Sequence, residues 1–216
     1  DVLSGNLGSD KLFGEDGWDA LFGQEGNDEL YGMAGNDLII IEPGLTSSDA
    51  TVWYWSSPGT ILVDMEAGYA LDGYGTRDTL VNVHHVDGFN RNGDKGYGSS
   101  VEDYFWIGIN SWMHQPGVIY IDGRGGLDRV SFGINSSGIG QFNFNVSADG
   151  RVVKIYQEKN PGFIYELHNI EFINTWDYDL SKHTEYDLAS LIDLSHAGED
   201  ILLRGYKGWQ TKTAGS

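Results

Sequence analysis

The chain contains no cysteine, which removes both disulfide stapling and thiol chemistry. Positive charge is scarce: 13 Lys and Arg stand against 32 Asp and Glu, a formal net charge of −19 over 216 residues. That imbalance argues against nucleic acid and anionic membrane surfaces as partners. No apolar run approaches the roughly 20 residues of a membrane-spanning helix, and no stretch carries the pattern of a secretory signal peptide. A G-x-S-x-G elbow, a phosphate-binding loop and a dinucleotide fingerprint are all missing. The six histidines have no chelating spacing. His84 and His85 are adjacent on an expected strand and face opposite sides, while His114, His168, His183 and His196 lie in separate segments. A carboxylate pair for glycoside cleavage leaves no local signature in a sequence; the abundant carboxylates have another role in the repeats, so the expectation is a non-catalytic chain.

Glycine and aromatic residues are abundant instead, with 31 Gly, 12 Tyr, 9 Phe and 7 Trp. Residues 5–40 are four uninterrupted nine-residue units, GNLGSDKLF, GEDGWDALF, GQEGNDELY and GMAGNDLII, preceded by the half unit DVLS. Each has Gly first and fourth, Asp sixth and an aliphatic residue eighth. Four positions held in phase four times outweigh any single residue as a signal, because a single Gly-Asn-Asp cluster is an ordinary turn.

These units resemble the calcium-binding nonapeptide of the RTX (repeats-in-toxin, haemolysin-type) proteins. The resemblance implies an all-β chain built on a right-handed parallel β-roll, six residues of each unit turning and three forming a strand. The glycines at first and fourth positions are expected to supply left-handed backbone angles. Leu12, Leu21, Leu30 and Ile39 then point inward. Lys11, Ala20 and Glu29 before them, and Phe13, Phe22 and Tyr31 after them, point outward. Two units make one coil, so Asp1, Asp19 and Asp37 stack along one edge and Asp10 and Asp28 along the other. Carboxylates stacked about 4.8 Å apart repel unless a cation lies between them, and Ca²⁺ accepts a mixed carboxylate and carbonyl shell.

By the same resemblance, Asn6, Gly8, Asp10, Gly23, Glu25 and Asp28 form one calcium site. Glu15, Gly17, Asp19, Gly32, Ala34 and Asp37 form a second, and Asp1 with Gly14, Asp16 and Asp19 belongs to a third. The family's usual second glycine is replaced by Asn6, Glu15, Gln24 and Met33, positions that offer only a carbonyl. The resemblance also implies export from a Gram-negative cell by type I secretion and calcium-driven folding outside it, at the cell surface or beyond. The family's export signal is C-terminal, and nothing in GWQTKTAGS identifies one.

Three regions follow from the pattern: regular repeats over 1–41, interrupted repeats continuing the roll over 42–128, and an antiparallel β-rich cap over 129–216. In the middle region Gly73, Gly75 and Asp78 keep a repeat-like turn ahead of Asp78-Thr-Leu-Val-Asn82-Val83, although Thr76 replaces a glycine. Ser100–Phe105 resembles a degenerate repeat displaced by an insertion over 90–98, and Gly123–Val130 restores a good copy. Asp78, Asp103 and Asp128 are therefore further candidate metal ligands. In the last region Ala148-Asp149-Gly150 marks a hairpin turn. Thr184 and Asp187 form a partial capping box for a short helix over 184–194, and Gly198–Leu202 reads as a last repeat-like turn.

The aromatic residues admit two readings. Trp18 sits in a repeat turn, Trp53 and Trp55 share one face of a strand with Tyr54 on the other, and Trp106 and Trp112 lie near the insertion. Exposed rings stack on sugars, which makes these five tryptophans candidate ligand-binding residues. They equally serve to cover the ends and flat sides of a thin roll. The expectation is a calcium-folded binding or adhesion module for extracellular polysaccharide. The alternatives are a self-assembling array or surface-layer segment and, weakest, part of a polysaccharide-modifying enzyme.

Overall fold

The computed structural model describes residues 1–42, 50–108, 117–134, 142–147, 151–157, 160–177, 182–187, 199–203 and 210–213. The repeats give strands β1 (Val2–Ser4), β2 (Lys11–Phe13), β3 (Ala20–Phe22), β4 (Glu29–Tyr31), β5 (Leu38–Ile40) and β6 (Thr51–Trp53). Odd and even strands stack separately, with parallel registers Val2↔Ala20↔Leu38 and Lys11↔Glu29. The offset of eighteen residues follows from two nine-residue units per coil.

Interior packing explains why the eighth position is aliphatic. Leu21, Leu30 and Ile39 are fully buried and Leu12 is 9% exposed, each such side chain contributing about 1.5–3 kcal/mol on burial. Lys11, Phe13, Phe22, Glu29 and Tyr31 keep surface contact as alternation predicts. Ala20 does not, being buried. Its methyl is too short to stand clear of Val2 and Leu38, its register neighbours.

The roll continues through β7 (Leu62–Asp64), β8 (Tyr69–Leu71), β9 (Arg77–Val81), β10 (His85–Phe89), β11 (Lys95–Tyr97), β12 (Tyr104–Gly108), β13 (Gly117–Asp122) and β14 (Arg129–Ile134). β9 stacks in parallel on β5 at an offset of 41 residues (Leu38↔Thr79), an interval that replaces the regular eighteen. Within it β7 and β8 form an antiparallel pair that joins β9 to β11. The other sheet is uninterrupted, since β6, β10, β12 and β14 stack in parallel. Val52, Val86, Phe105 and Val130 carry its buried row through the irregular coils.

The remaining strands are β15 (Phe142–Val146), β16 (Val152–Gln157), β17 (Asn160–His168), β18 (Phe172–Asp177), β19 (Lys182–Asp187), β20 (Glu199–Leu203) and β21 (Gln210–Thr213). β17 and β18 extend the two parallel stacks on β13 and β14. β15, β16, β20 and β21 then add antiparallel pairs, ending a thirteen-stranded sheet. β15 and β16 flank the expected turn at 148–150, which itself lies outside the described residues.

The expected helix is corrected. Thr184 and Asp187 belong to β19, which pairs antiparallel with β18 (Thr175↔Thr184, Phe172↔Asp187) and ends the eight-stranded sheet. A cap is worth about 1 kcal/mol and a short helix nucleates poorly. Six paired residues on an otherwise open sheet edge outweigh both. Residues 188–194 lie outside the described residues.

Candidate functional site

Each regular turn is positioned by a short ladder to the turn one coil away. Glu25 N–H donates to Asn6 O and Gly8 N–H to Glu25 O, both at 2.9 Å; Ala34 and Gly17 repeat this with Glu15 O and Ala34 O. Asn6, Glu15, Gln24 and Met33 adopt φ between 66° and 70°, the left-handed region that costs a side-chain-bearing residue about 1–2 kcal/mol. The first glycines, by contrast, are not at positive φ and serve for space. A Cβ on Gly5 would lie 2.6 Å from Gly23 O and 3.2 Å from Asp10 Oδ2, and one on Gly14 would lie 2.7 Å from Gly32 O and 3.1 Å from Asp19 Oδ2. The close approach brings a carbonyl of one turn and the carboxylate of the next to a common point.

The aspartates obey one rule. Oδ1 accepts the backbone N–H of the aspartate one coil before, as in Asp10 N–H to Asp28 and Asp19 N–H to Asp37, both 2.9 Å. Oδ2 of Asp10, Asp19, Asp28 and Asp37 is buried without a hydrogen-bond partner among the described residues. A buried orphan acceptor is costly. Burial also pushes the Asp28 carboxyl above its usual range and Asp37 up to about 6, the neighbouring carboxylates adding to the rise. The remaining candidate ligands are neutral carbonyls, and those of Asn6, Glu15, Glu25 and Ala34 each keep a second lone pair.

Such a donor set fits a hard cation with a shell of six to eight oxygens. Asp10, Gly23 and Asp28 with Asn6, Gly8 and Glu25 would hold one ion; Asp19, Gly32 and Asp37 with Glu15, Gly17 and Ala34 would hold another. The ion supplies charge neutralisation and cross-links successive coils. At the first turn, the Asp1 backbone nitrogen lies 2.5 Å from Asp19 Oδ1, the contact that the Asp10 and Asp19 N–H groups make in the turns that follow. Asp16 is exposed, and a backbone bridge aligns it with Ala34.

Among the degenerate turns, Asp128 is of the same kind. Its Oδ1 accepts the Asp103 N–H at 2.9 Å, its Oδ2 is buried without a hydrogen-bond partner among the described residues, and burial lifts its carboxyl to about 7. Asp78 and Asp103 differ, because protein donors occupy both oxygens. Asp78 takes the Asp37 N–H at 3.0 Å and the Tyr54 hydroxyl at 2.8 Å. Asp103 bonds His84 Nδ1 at 2.8 Å and the Ser99 hydroxyl at 2.9 Å. Both carboxylates thus tie their own turns to neighbouring protein groups. Sequence reasoning did not single out Asp72, Asp94 or Glu171, which also hold turns: Glu171 Oε2 accepts the Asp128 N–H at 2.8 Å, doing an aspartate's task from a longer side chain.

The tryptophans separate into groups. Trp53, Trp55 and Trp106 line one groove of about 700 Å³ on the outer face of the eight-stranded sheet, joined by Tyr31 and Tyr104. Register explains the gathering, since Trp53 on β6, Asp87 on β10 and Trp106 on β12 are successive partners. Phe13, Tyr31 and Trp53 extend it as a stacked row, with ring centroids 4.6 and 5.7 Å apart. Tyr54 points inward and is buried. Trp18 stands apart in its turn, 60% exposed, and Trp112 lies outside the described residues. His85 also lines the groove, whereas His84 precedes the strand and holds Asp103.

Residues 1–30 and 16–40 match the family model of the RTX calcium-binding nonapeptide repeat, in 4 copies. No curated protein matches the chain. The matched residues are those whose turns stack carboxylates and carbonyls about a common point, and residues 1–40 are accordingly RTX calcium-binding nonapeptide repeats that bind Ca²⁺.

Proposed function

We propose that this chain is a non-catalytic binding module of a secreted protein, folded by calcium, whose aromatic groove holds extracellular polysaccharide. RTX repeats are typical of proteins exported by Gram-negative bacteria, and the low positive charge suits an extracellular setting with calcium in excess. The observation that carries the reading is the convergence of Trp53, Trp55 and Trp106 on one groove. Aromatic faces in a shallow row suit the C–H faces of successive sugar rings, each stack contributing about 0.5–1.5 kcal/mol by analogy with aromatic pairs.

Trp53 and Trp106 are the better pair to remove, because Trp55 also packs where a Cβ on Gly108 would go. Trp53→Ala with Trp106→Ala is expected to keep the calcium-folded circular dichroism spectrum and to lose retention on a polysaccharide column. Lost stability with unchanged retention per folded molecule would make the tryptophans structural. A wild type retained on no extracellular polysaccharide, but self-associating with calcium, would favour an assembling array.

A further inference from the structure

Asp87 lies in the middle of the groove, in register between Trp53 and Trp106. It is 3% exposed, and its Oδ1 has no hydrogen-bond partner among the described residues; the same holds for Nε1 of Trp53 beside it. A carboxyl so deeply buried is ordinarily matched by a cation. Among the described residues no Lys or Arg lines the groove. The groups around Asp87 are a second carboxylate, tyrosines and the His85 imidazole two residues away. On β4 Glu29 accepts the Tyr31 hydroxyl at 2.7 Å and is already paired with Lys11 at 2.7 Å. On β12 the Tyr104 hydroxyl is bonded to Ser131, and its ring lies tilted against His85 of β10 with centroids 5.3 Å apart.

From this arrangement we infer that the groove selects a cationic amino sugar, its ammonium group set against Asp87 and its ring faces against Trp53 and Trp106. The inference rests on the polysaccharide reading above and narrows it. Three features of the site point the same way. The carboxyl has no Lys or Arg beside it among the described residues lining the groove, and a ligand ammonium supplies a counter-charge with a charge-assisted hydrogen bond. Indole faces attract cations through their quadrupole, so the rings reinforce the carboxyl's preference. The orphan Trp53 N–H needs an acceptor, which a sugar hydroxyl offers and a simple alkylammonium does not.

Competing sugars each leave something unmet. A uronic acid brings a second carboxylate toward Asp87 and Glu29, and an N-acetylated sugar leaves the buried carboxyl without a counter-charge. Burial pushes the Asp87 carboxyl well above the usual carboxylate range, the Gly88 backbone N–H opposing and the Glu29 charge adding to the rise. That is the behaviour of an acid lacking a cation, and an arriving ammonium reverses it.

The test is titration calorimetry of the full calcium-loaded chain with a glucosamine hexamer, its fully N-acetylated counterpart and a uronic acid hexamer, in mildly acidic buffer with excess calcium. The amino hexamer is expected to bind about tenfold more tightly than the acetylated one, the margin of a charge-assisted over a neutral hydrogen bond. The uronic acid hexamer is expected to bind weakest. Asp87→Asn should erase the tenfold margin between the amino and acetylated hexamers. Equal wild-type affinities for amino and acetylated hexamers would overturn the inference and leave the polysaccharide reading standing, a comparison that needs no variant. A margin that survives Asp87→Asn would also overturn it, because it would then reflect general attraction of a polycation to an acidic surface. Binding of no hexamer at all would remove the polysaccharide reading itself, and the inference with it.

Discussion

Asp19→Ala is expected to raise the calcium concentration needed for folding about tenfold more than Asp10→Ala does, a difference near 1.4 kcal/mol. The two residues occupy the same repeat position but different places in the stack. Asp19 is buried, donates its backbone N–H to Asp37 Oδ1, and accepts a hydrogen bond from the Asp1 backbone nitrogen on its own Oδ1. It therefore connects the turns on both sides, and the repeat assigns it to two calcium sites. Asp10 is partly exposed and, among the described residues, its links run to one neighbouring turn, its N–H donating to Asp28 Oδ1 and its carbonyl accepting the Glu29 N–H. Its loss removes one ligand at the edge of the roll. Calcium titrations followed by circular dichroism read the difference, and coincident midpoints would show that carboxylates eighteen residues apart do not share ions.

Acidification in the presence of a chelator is expected to increase strand content between about pH 7 and pH 4. The folded-state carboxyls of Asp37 and Asp128 lie at about 6 and about 7, raised chiefly by burial, against an unfolded value near 3.9. Over that window the metal-free folded form binds more protons than the unfolded chain, so its stability rises as pH falls. Partial relief of the −19 net charge acts in the same direction. Asp64, held low by the Arg124 guanidinium, and Glu166, held low by Lys154, lose their pairs only below the ordinary carboxylate range. With calcium present the trend inverts, because the ion requires ionised carboxylates, and its midpoint concentration should climb as pH drops. Metal-free strand content that falls on acidification from neutral pH would contradict the assignment of the orphan oxygens.

How much of this was legible in the sequence depends on distance along the chain. The stacking of Asp10 on Asp28 and the inward row of Leu21, Leu30 and Ile39 follow from a fixed period, so the repeat alone specifies both. The glycine at the first position was legible as a requirement but not in its cause, since Gly5 serves close approach to Gly23 O and not a backbone angle. Beyond residue 41 the period no longer fixes partners. Asp78 and Asp128 look alike in their motifs, yet Tyr54, 24 residues from Asp78, occupies Asp78 Oδ2, while Asp128 Oδ2 has no hydrogen-bond partner among the described residues. The groove shows the same limit. Trp53 and Trp55 announce a shared face locally, but Asp87 joins them only because β6, β10 and β12 stack across an irregular coil. Thr184 illustrates the reverse failure, a good local helix signal overruled by an open sheet edge.

The central claim is that ion binding and folding of the roll are one event, driven by buried carboxylate oxygens that have no protein partner among the described residues. Its most direct test is far-ultraviolet circular dichroism of the chain at neutral pH, first in chelator and then through a calcium titration, with magnesium as the comparison. A coil-like spectrum in chelator is expected, followed by a cooperative gain of strand signal in millimolar Ca²⁺. Mg²⁺ should substitute poorly, because it demands a tight octahedral shell that carbonyl-rich turns do not offer. A chelated chain that is already β-rich and melts cooperatively, with the same midpoint temperature before and after calcium, would contradict the claim.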